Sequence, residues 1–228
     1  MTTRPTALIT GASRGVGEAV ARALAPTHDL LLGGRDQSAL ARLAGELPGA
    51  RPWPVELTEV TAADVEGVDR LDVLVHSAGI APLGRIADSH AAAWRTAMEV
   101  NVVAVAELTR LLLPALRRAE SHVVCVNSGQ GQRTGAGWGA YSASKFALRA
   151  FADALRAEEP RLRVTSVYPG RIDTDMQRGV REHEGGPYEP GRYLRPESVA
   201  RAVLAAVTAG PDAHLTELTL RPAAGPVS

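Results

Sequence analysis

Short apolar runs alternate with longer amphipathic segments along the whole chain. The runs have strand length, and the segments between them have the apolar spacing of α-helices. Parallel strands need such crossover segments, and helices on both faces of a parallel sheet bury both of its surfaces. The alternation therefore predicts an α/β fold in three layers, a doubly wound parallel sheet of about seven strands between two layers of helices.

The same pattern predicts where the strands and helices begin and end. We expect strands at 6–10, 29–32, 51–57, 71–75, 122–126, 163–167 and 214–220, and helices at 18–25, 38–47, 62–68, 89–119, 140–157 and 196–209. Pro52 and Pro54 place the third strand at a sheet edge, because proline cannot donate to a neighbouring strand. Pro114 is expected to bend the longest helix. Residues 171–194 are rich in glycine, proline and charge, and are expected to form a loop with at most one or two helical turns.

The composition excludes several classes of protein. The 228 residues carry a formal net charge of zero, so the basic surface that attracts nucleic acids or anionic membranes is not expected. The single cysteine, Cys125, cannot form a disulfide within the chain, which suits a reducing compartment. The N-terminus shows no signal-peptide pattern, and no apolar run approaches the roughly 20 residues that cross a bilayer. We therefore expect residues 1–228 to form a single domain in the cytoplasm.

Glycines are concentrated between the first strand and the first helix, in Thr10-Gly-Ala-Ser-Arg-Gly-Val-Gly17. Glycine lets the backbone turn tightly and approach a pyrophosphate, which binds against the amides at a helix N-terminus. A simple turn would also use glycine, but this motif follows a strand and opens a helix. It therefore predicts a dinucleotide-binding site.

The end of the second strand indicates which dinucleotide is bound. An acid there accepts from the ribose of NAD(H), whereas a basic group accommodates the 2′-phosphate of NADP(H). Here Gly34 is followed by Arg35, and Arg14 in the glycine turn can reach the same phosphate. Asp36 leaves an alternative open, because it could bind a ribose hydroxyl or cap the following helix. We favour NADP(H) over NAD(H).

One lysine stands out from the basic residues. Of the 25 lysines and arginines, Lys145 is the only lysine, and it follows Tyr141 by four positions. Residues at that spacing share a helix face, so the ammonium and the phenol can point into one site. A nearby positive charge should lower the pKa of Tyr141 from its usual value of about 10, as suits a general acid or base. A surface lysine beside a half-buried tyrosine would give the same pattern, so the rest of the chain has to decide.

Taken together, these motifs resemble the short-chain dehydrogenase/reductase family over essentially the whole chain. The resemblance is carried, in chain order, by Thr10-Gly-x-x-x-Gly-x-Gly17, Ala78-Gly79, Asn101, Ser128, Tyr141-x-x-x-Lys145, Pro169-Gly170 and Thr174. Ser128 precedes Tyr141 by 13 positions, which is the spacing of that family. The resemblance implies a Rossmann-type fold and an NADP-dependent oxidoreductase that moves a hydride between NADP(H) and a carbonyl or secondary alcohol.

The resemblance also implies the roles of the catalytic residues. Tyr141 would act as the general acid/base, and Ser128 would hydrogen-bond the substrate oxygen. Lys145 would lower the pKa of Tyr141 and bind the nicotinamide ribose. Asn101 would hold a water that connects Lys145 to solvent for proton relay.

The cofactor-binding residues that the resemblance implies follow the ends of several strands. They are Gly11, Ser13, Arg14, Gly15, Val16, Gly17, Arg35, Glu56, Leu57, Ala78, Gly79, Tyr141, Lys145, Pro169, Gly170, Ile172 and Thr174. Of these, Ile172 and Thr174 would meet the nicotinamide carboxamide.

Two positions depart from the pattern of the family. His76-Ser77 stands where the family usually has Asn-Asn, so the side chain that normally steadies the sheet is changed. Glu56 is the acid nearest to the place of the aspartate that commonly meets the adenine. No second ligand lies at a suitable spacing from His76, so we assign this histidine a structural role and expect no metal.

Residues beside the catalytic group should shape the substrate pocket. We expect Gln130, Trp138 and Met176 to line it, and residues 171–194 to close over the substrate. Arg178 or Arg181 could meet an anionic substrate. The partner is expected to be a small carbonyl or alcohol compound whose identity does not follow from the sequence.

Two other functions share this fold. A non-catalytic dinucleotide-binding sensor or scaffold would keep the glycine turn, although here all of the catalytic positions are filled. A sugar-nucleotide epimerase or dehydratase would need an added substrate domain, for which this chain has no room. The family commonly assembles as homodimers or homotetramers through its long helices, and the apolar stretches 102–113 and 146–155 would suit such packing or burial within the chain.

Overall fold

Within the described residues, seven strands form one parallel sheet. The computed structural model describes residues 4–223. The first three residues, which belong to the N-terminal segment where no signal peptide is expected, lie outside the described residues. The strands are β1 (Thr6–Thr10), β2 (Asp29–Gly34), β3 (Ala50–Pro54), β4 (Val73–His76), β5 (His122–Val126), β6 (Arg163–Pro169) and β7 (Glu217–Leu220). Their order is β3-β2-β1-β4-β5-β6-β7, and every neighbouring pair is parallel. The predicted doubly wound α/β fold is confirmed.

Helices connect these strands, and several of them differ from the prediction. The helices are α1 (Gly15–Leu24), α2 (Gln37–Glu46), α3 (Ala91–Met98), α4 (Ala104–Ala119), α5 (Gly139–Glu158), α6 (Asp175–Glu184) and α7 (Pro196–Val207). A 3-10 turn, Ala62–Val65, replaces the helix expected at 62–68. The segment expected to be a loop contains α6, which the hydroxyl of Thr174 caps and which ends at Gly185, where φ is 70°. No helix in residues 4–223 is long and apolar enough to span a membrane.

Successive residues of each strand face opposite sides of the sheet, and each side has its own apolar core. On one side Ile9, Val75 and Val124 pack with α1, α2 and α7. On the other side Leu8 and Leu74 pack with α4 and α5. Fully burying one leucine contributes about 1.5–3 kcal/mol, so these two cores hold the three layers together.

The third strand has the edge position that its prolines predict. β3 lies at one end of the described sheet, beside β2. It ends at Pro54 instead of continuing to Leu57, because Leu57 already belongs to a 3-10 turn. Glu56 caps that turn by accepting a hydrogen bond from the amide of Thr58.

The long helical region is interrupted at Asn101 and not at Pro114. Residues Glu99–Val103 form one π-helical turn between α3 and α4, whereas α4 runs through Pro114. A π turn displaces the backbone by one residue and often marks a functional site. The π turn therefore contains Asn101, a residue that the sequence singles out.

The sheet order reverses beside β1, and this reversal places the site. The chain runs outward from β1 through β2 to β3, and then returns to β4 on the other side of β1. The loops that follow β1 and β4 diverge there. In open α/β sheets, ligands bind in the crevice formed at such a point, outside the carboxyl ends of the strands.

Candidate active site

A cavity of about 730 Å³ opens at the carboxyl ends of the strands. Its volume lies in the range of cofactor and small-molecule sites. The residues that the sequence singles out as catalytic, cofactor-binding or substrate-facing line this cavity, except Asn101, Arg178 and Arg181. The fold thus gathers distant parts of the chain around one space.

The glycine turn after β1 is shaped to admit phosphate groups. Gly11 has a φ of 67°, and a Cβ on it would lie 2.9 Å from the Cα of Ala78. A Cβ on Gly17 would collide with the carbonyl oxygen of Gly11, so glycine is needed for α1 to begin this close to β1. Arg14 is the N-cap residue of α1, but no side chain caps this helix. The amides of its first turn are therefore available to an anion, which the helix dipole also favours.

Two arginines line the cavity near the end of β2, each with its own acidic partner. Arg35 forms an ion pair with Glu56 at 3.6 Å, and Arg14 forms one with Asp175 at 3.4 Å. The two guanidiniums are largely exposed, with side chains that are 76% and 74% accessible. Both line the cavity, and the expectation that they bind one phosphate together stays a prediction.

Asp36 belongs to a helix cap and not to the cavity. Its carboxylate accepts a hydrogen bond from the amide of Ala39 at 2.9 Å and so caps α2. Gly34 does line the cavity, and a Cβ on it would lie 3.8 Å from the hydroxyl of Ser13. Of the two roles that the sequence leaves open for Asp36, the structure shows the cap.

Thr10, at the end of β1, holds the residues that follow β4. Its hydroxyl accepts hydrogen bonds from the amides of Ser77 at 3.1 Å and Ala78 at 3.2 Å. His76 is buried and bonds to the hydroxyl of Thr109 at 2.9 Å. Burial lowers the pKa of His76 to about 3, so its ring is neutral and structural at neutral pH. Residues 4–223 contain no group of three or more side chains that could hold a metal ion.

Tyr141 lies in the first turn of α5 and is 8% exposed. Its ring centre lies 5.7 Å from that of Trp138. Burial raises the pKa of Tyr141, and its interaction with the hydroxyl of Ser128 opposes that rise. The sequence predicts that Lys145 lowers the pKa of Tyr141, and this prediction is wrong in direction. The pKa rises because the free-energy cost of removing the phenolate from water exceeds the stabilisation that neighbouring groups provide. Tyr141 is therefore a neutral phenol at neutral pH, ready to donate a proton.

Lys145 lies one turn further along α5 and is also buried. Its Nζ donates a hydrogen bond to the carbonyl of Val126 at 3.1 Å and lies 5.9 Å from the centre of the Tyr141 ring. Gly79 lies close to the same Nζ, since a Cβ added to this glycine would lie 3.7 Å from it. Burial lowers the pKa of Lys145 to about 8, so most of this lysine is charged at pH 7. The spacing thus places a buried ammonium beside a buried phenol.

Asn101 lies behind the cavity and does not line it. Its Oδ1 accepts from the amide of Ile80 at 3.0 Å, and its Nδ2 donates to the carbonyl of Ile80 and to the hydroxyl of Ser144, each at 2.9 Å. The side chain thereby ties α5 to the loop that follows β4. Its expected role in holding a water stays a prediction.

Asn127, which comes just before Ser128, is a functional residue that was not singled out from the sequence. Its side chain donates to the carbonyl of Lys145 at 3.1 Å and accepts from the amide of Ser128 at 2.8 Å. These two bonds fix the end of β5 against α5 and so set the position of the serine relative to the phenol. The carboxyl end of a buried parallel strand was the signal that could have identified Asn127.

The residues expected to face the substrate line the same part of the cavity. Trp138 contacts both the ring of Tyr141 and the guanidinium of Arg171, which is 5.9 Å from the centre of the Trp138 ring. The side chain of Gln130 accepts a hydrogen bond from Ser142 at 3.1 Å. Met176 is 45% exposed in the first turn of α6. A helix, and not a bare loop, therefore covers this end of the cavity.

The two arginines proposed from the sequence to meet an anionic substrate lie elsewhere. Arg181 is buried and donates to the carboxylate of Glu184 at 2.8 Å and to the carbonyl of Pro187 at 3.1 Å. The guanidinium of Arg178 lies 4.2 Å from the ring centre of Tyr188. Neither residue lines the cavity, so this expectation is not met.

Several further lining residues carry polar groups that were not singled out from the sequence, among them Arg133, Gln177 and Arg221. Gln177 is 7% exposed, and its side-chain nitrogen has no hydrogen-bond partner among the described residues. A buried donor without a partner is costly, so this nitrogen suits an acceptor that a ligand supplies. Arg221 follows β7, and the topology of a parallel sheet could have placed it here. No feature of the sequence indicates that Arg133 lines the cavity.

Comparison with known proteins identifies the class. The sequence matches the family model described as short chain dehydrogenase over residues 5–185. That span includes the glycine turn, Ser128, Tyr141 and Lys145. The protein therefore belongs to the short-chain dehydrogenase family and is an oxidoreductase of that family.

Individual relatives extend this match over nearly the whole chain. The dehydrogenase/reductase SDR family member 7B of Xenopus laevis is 35% identical, over 88% of this chain and 70% of that protein. An alcohol dehydrogenase from the archaeon Thermococcus sibiricus, complexed with 5-hydroxy-NADP, has a TM-score of 0.87 at 28% identity and covers 98% of this chain and 99% of its own. A variant of actinorhodin polyketide ketoreductase with NADPH has a TM-score of 0.86 at 26% identity, with coverages of 97% and 98%. The predicted family and fold are confirmed, and a nicotinamide dinucleotide is the class of cofactor that fits the cavity.

Proposed function

We propose that this protein catalyses hydride transfer between NADP(H) and a carbonyl compound or the corresponding secondary alcohol. The observation that carries the proposal is that Ser128, Tyr141 and Lys145 line the same cavity as the glycine turn. A site that merely bound a dinucleotide would not need a buried phenol next to a buried ammonium, because burying such groups costs free energy.

The residues present fit a nicotinamide dinucleotide. The uncapped N-terminus of α1, beside Gly11 and Gly17, would hold the pyrophosphate. Lys145 would bind the nicotinamide ribose, while Ile172 and Thr174 would lie along the nicotinamide. When bound, the dinucleotide supplies or accepts the hydride, and the protein has one proton to move.

Tyr141 would move that proton. In the direction of reduction, its phenol donates to the carbonyl oxygen, and its raised pKa keeps it protonated until then. Ser128, which interacts with the phenol, would donate a hydrogen bond to the same substrate oxygen and hold it in place. Lys145, with a pKa of about 8, is mostly charged at pH 7 and would stabilise the phenolate that remains.

The residues at the end of the cavity near β2 support a preference for NADP(H). Arg14 and Arg35 line it, and their ion pairs with Asp175 and Glu56 are exposed. Such pairs contribute only about 0–1 kcal/mol, so a phosphate that binds a guanidinium through two hydrogen bonds can replace the carboxylate. Asp36 is engaged in its helix cap. Two similar proteins were solved with 5-hydroxy-NADP and with NADPH, which supports the same preference.

The proposal is tested by turnover of a panel of ketones, aldehydes and quinones, with NADPH and NADH compared as hydride donors. We expect NADPH to be consumed with at least one carbonyl class. Tryptophan fluorescence should show tighter binding of NADPH than of NADH, because Trp138 lines the cavity. Binding without turnover of any carbonyl would instead indicate a non-catalytic sensor. Tighter binding of NADH would contradict the assignment of the two arginines.

A further inference from the structure

Charge is distributed unevenly along the cavity. The acids that line it within residues 4–223 are Glu56 and Asp175, and both lie at the nucleotide end, paired with Arg35 and Arg14. The end around Ser128 is lined by arginines and by no carboxylate of the described residues. This end therefore has a positive charge that the protein itself does not balance within the cavity.

Arg221 is fixed against the backbone beside Ser128. Its Nη1 donates to the carbonyls of Tyr168 and Leu220, each at 3.0 Å, and its Nη2 donates to the side-chain oxygen of Gln132 at 3.4 Å. A Cβ on Gly129, the residue after Ser128, would lie 3.3 Å from both Nη atoms. These bonds use three of the five N–H donors of a guanidinium. The group is held in place, with donors left for a ligand.

Arg133 brings a second guanidinium to the same place. It lies just after the 3-10 turn Gly129–Gly131, and its side chain has no acidic partner among the described residues. Burial of Arg221 and the positive charge of Arg133 both lower the pKa of Arg221, so the two groups lie close enough to repel each other. An anion between two guanidiniums removes that repulsion.

The other arginines at this end are already paired. Arg171 donates to Glu184 at 2.8 Å, and Arg192 pairs with Glu189 at 3.1 Å. In each pair the carboxylate balances the charge of the guanidinium. The unbalanced charge is therefore that of the two guanidiniums beside Gly129.

We propose that the substrate is an oxo acid, a ketone or aldehyde that also carries a carboxylate, and that Arg133 and Arg221 bind this carboxylate. Ser128 and Tyr141 would meet the carbonyl oxygen of the same molecule. A carboxylate matches the planar fork of a guanidinium and can accept two hydrogen bonds from it. This inference rests on the proposed carbonyl reduction and adds the class of substrate.

The experiment compares oxo acids of increasing chain length with their methyl esters, which keep the carbonyl and lose the charge. Values of kcat and KM are measured with NADPH for the wild type, Arg133→Gln, Arg221→Gln and Arg221→Lys. We expect at least one acid to be preferred over its ester by about tenfold or more, because hydrogen bonds between two charged groups are stronger than those to a neutral ester. Each glutamine variant should lose that preference through KM, and Arg221→Lys should retain part of it.

Controls separate this inference from the proposed function. Arg42→Gln removes an exposed arginine that does not line the cavity and should leave both substrates unaffected. Esters that are reduced as well as the acids, with no change in the glutamine variants, would overturn the carboxylate site and leave carbonyl reduction in place. Failure to reduce any acid, ester or neutral carbonyl would overturn the proposed function, and the inference with it.

Discussion

Lys145 is a lysine in a sequence that otherwise uses arginine, and its surroundings give a physical reason for the difference. It is the only lysine among 25 basic residues, and it is 4% exposed. Its ammonium has one backbone acceptor, the carbonyl of Val126, and it lies close to Gly79 and the ring of Tyr141. A guanidinium is larger and needs several acceptors in one plane, which these contacts do not offer. The composition therefore pointed to the site because an ammonium fits there and a guanidinium does not.

Gly34 should control the choice of cofactor, and Gly34→Asp should reverse it. A Cβ on Gly34 would meet Leu40 at 3.7 Å and the hydroxyl of Ser13 at 3.8 Å, which are ordinary contacts, so the backbone need not move. The new carboxylate would repel a 2′-phosphate and accept hydrogen bonds from a ribose. We expect the ratio of kcat/KM with NADPH to kcat/KM with NADH to fall on the order of 100-fold.

Gly34→Asn is the matched control, because it has the same shape without the charge. It should keep most of the preference for NADPH. If Gly34→Asp left the ratio unchanged, the 2′-phosphate would have to bind away from the end of β2.

At the scale of elements, the neighbouring strands β4 and β5 each bury a neutral histidine. His76 bonds to the hydroxyl of Thr109 at 2.9 Å, and His122 bonds to that of Thr165 at 2.7 Å. Burial lowers the pKa of each to about 3, from 6.5 in an unfolded chain. As pH falls from about 6.5 toward 3, the unfolded chain binds protons that the folded protein does not, so the folded protein loses stability.

The predicted loss is about 2 kcal/mol in the free energy of unfolding for each of these histidines between pH 7 and pH 5. Urea denaturation at both pH values measures it. His76→Gln should reduce the pH-dependent loss by about that amount, whatever the substitution does to stability at pH 7. His90→Gln, at an exposed position, is the control for the loss of a histidine. Identical pH dependence in the wild type and in His76→Gln would contradict the prediction.

The strands were easier to predict from the sequence than helix α6, because their apolar pattern is visible in the sequence and that of α6 is not. β1 and β5 are nearly continuous apolar runs, and such runs are the signature of a buried parallel strand. α6 contains Gly179 and is strongly polar. Glu184, at its end, pairs with Arg171, which lies 13 residues earlier and outside the helix, so this contact forms only once the chain has folded.

The same distinction applies to the site. Ser128, Tyr141 and Lys145 could be predicted from the sequence, because their separations along the chain match those of a known family motif whose residues share a cavity. The orientation of Asn101 away from the cavity, and the approach of Arg133 to Arg221, depend on side-chain packing. Spacing along the chain does not encode such packing.

At the scale of the whole molecule, apolar side chains lie on the surface along α4 and α5. The inner faces of these helices bury residues such as Leu108 and Leu148. Phe146 on α5 is 42% exposed, and Val103, in the π turn just before α4, is 48% exposed. We predict a homodimer or homotetramer that covers this surface, since burying large apolar side chains drives association. Phe146→Glu should lower the mass measured by sedimentation, whereas Ile86→Glu, at a position that is 70% exposed outside these helices, should not. A monomeric wild type would contradict this prediction.

The central claim is that Tyr141 transfers the substrate proton, and one comparison tests it most directly. The measurement is NADPH-driven reduction of the best carbonyl substrate by the wild type, Tyr141→Phe and Tyr193→Phe. Tyr193 is a buried tyrosine that does not line the cavity, so Tyr193→Phe controls for the loss of a buried hydroxyl. Tyr141→Phe should lose about 10²–10⁴-fold in kcat while it still binds NADPH, because general acid catalysis contributes a factor of that size. Full activity in Tyr141→Phe would contradict the account.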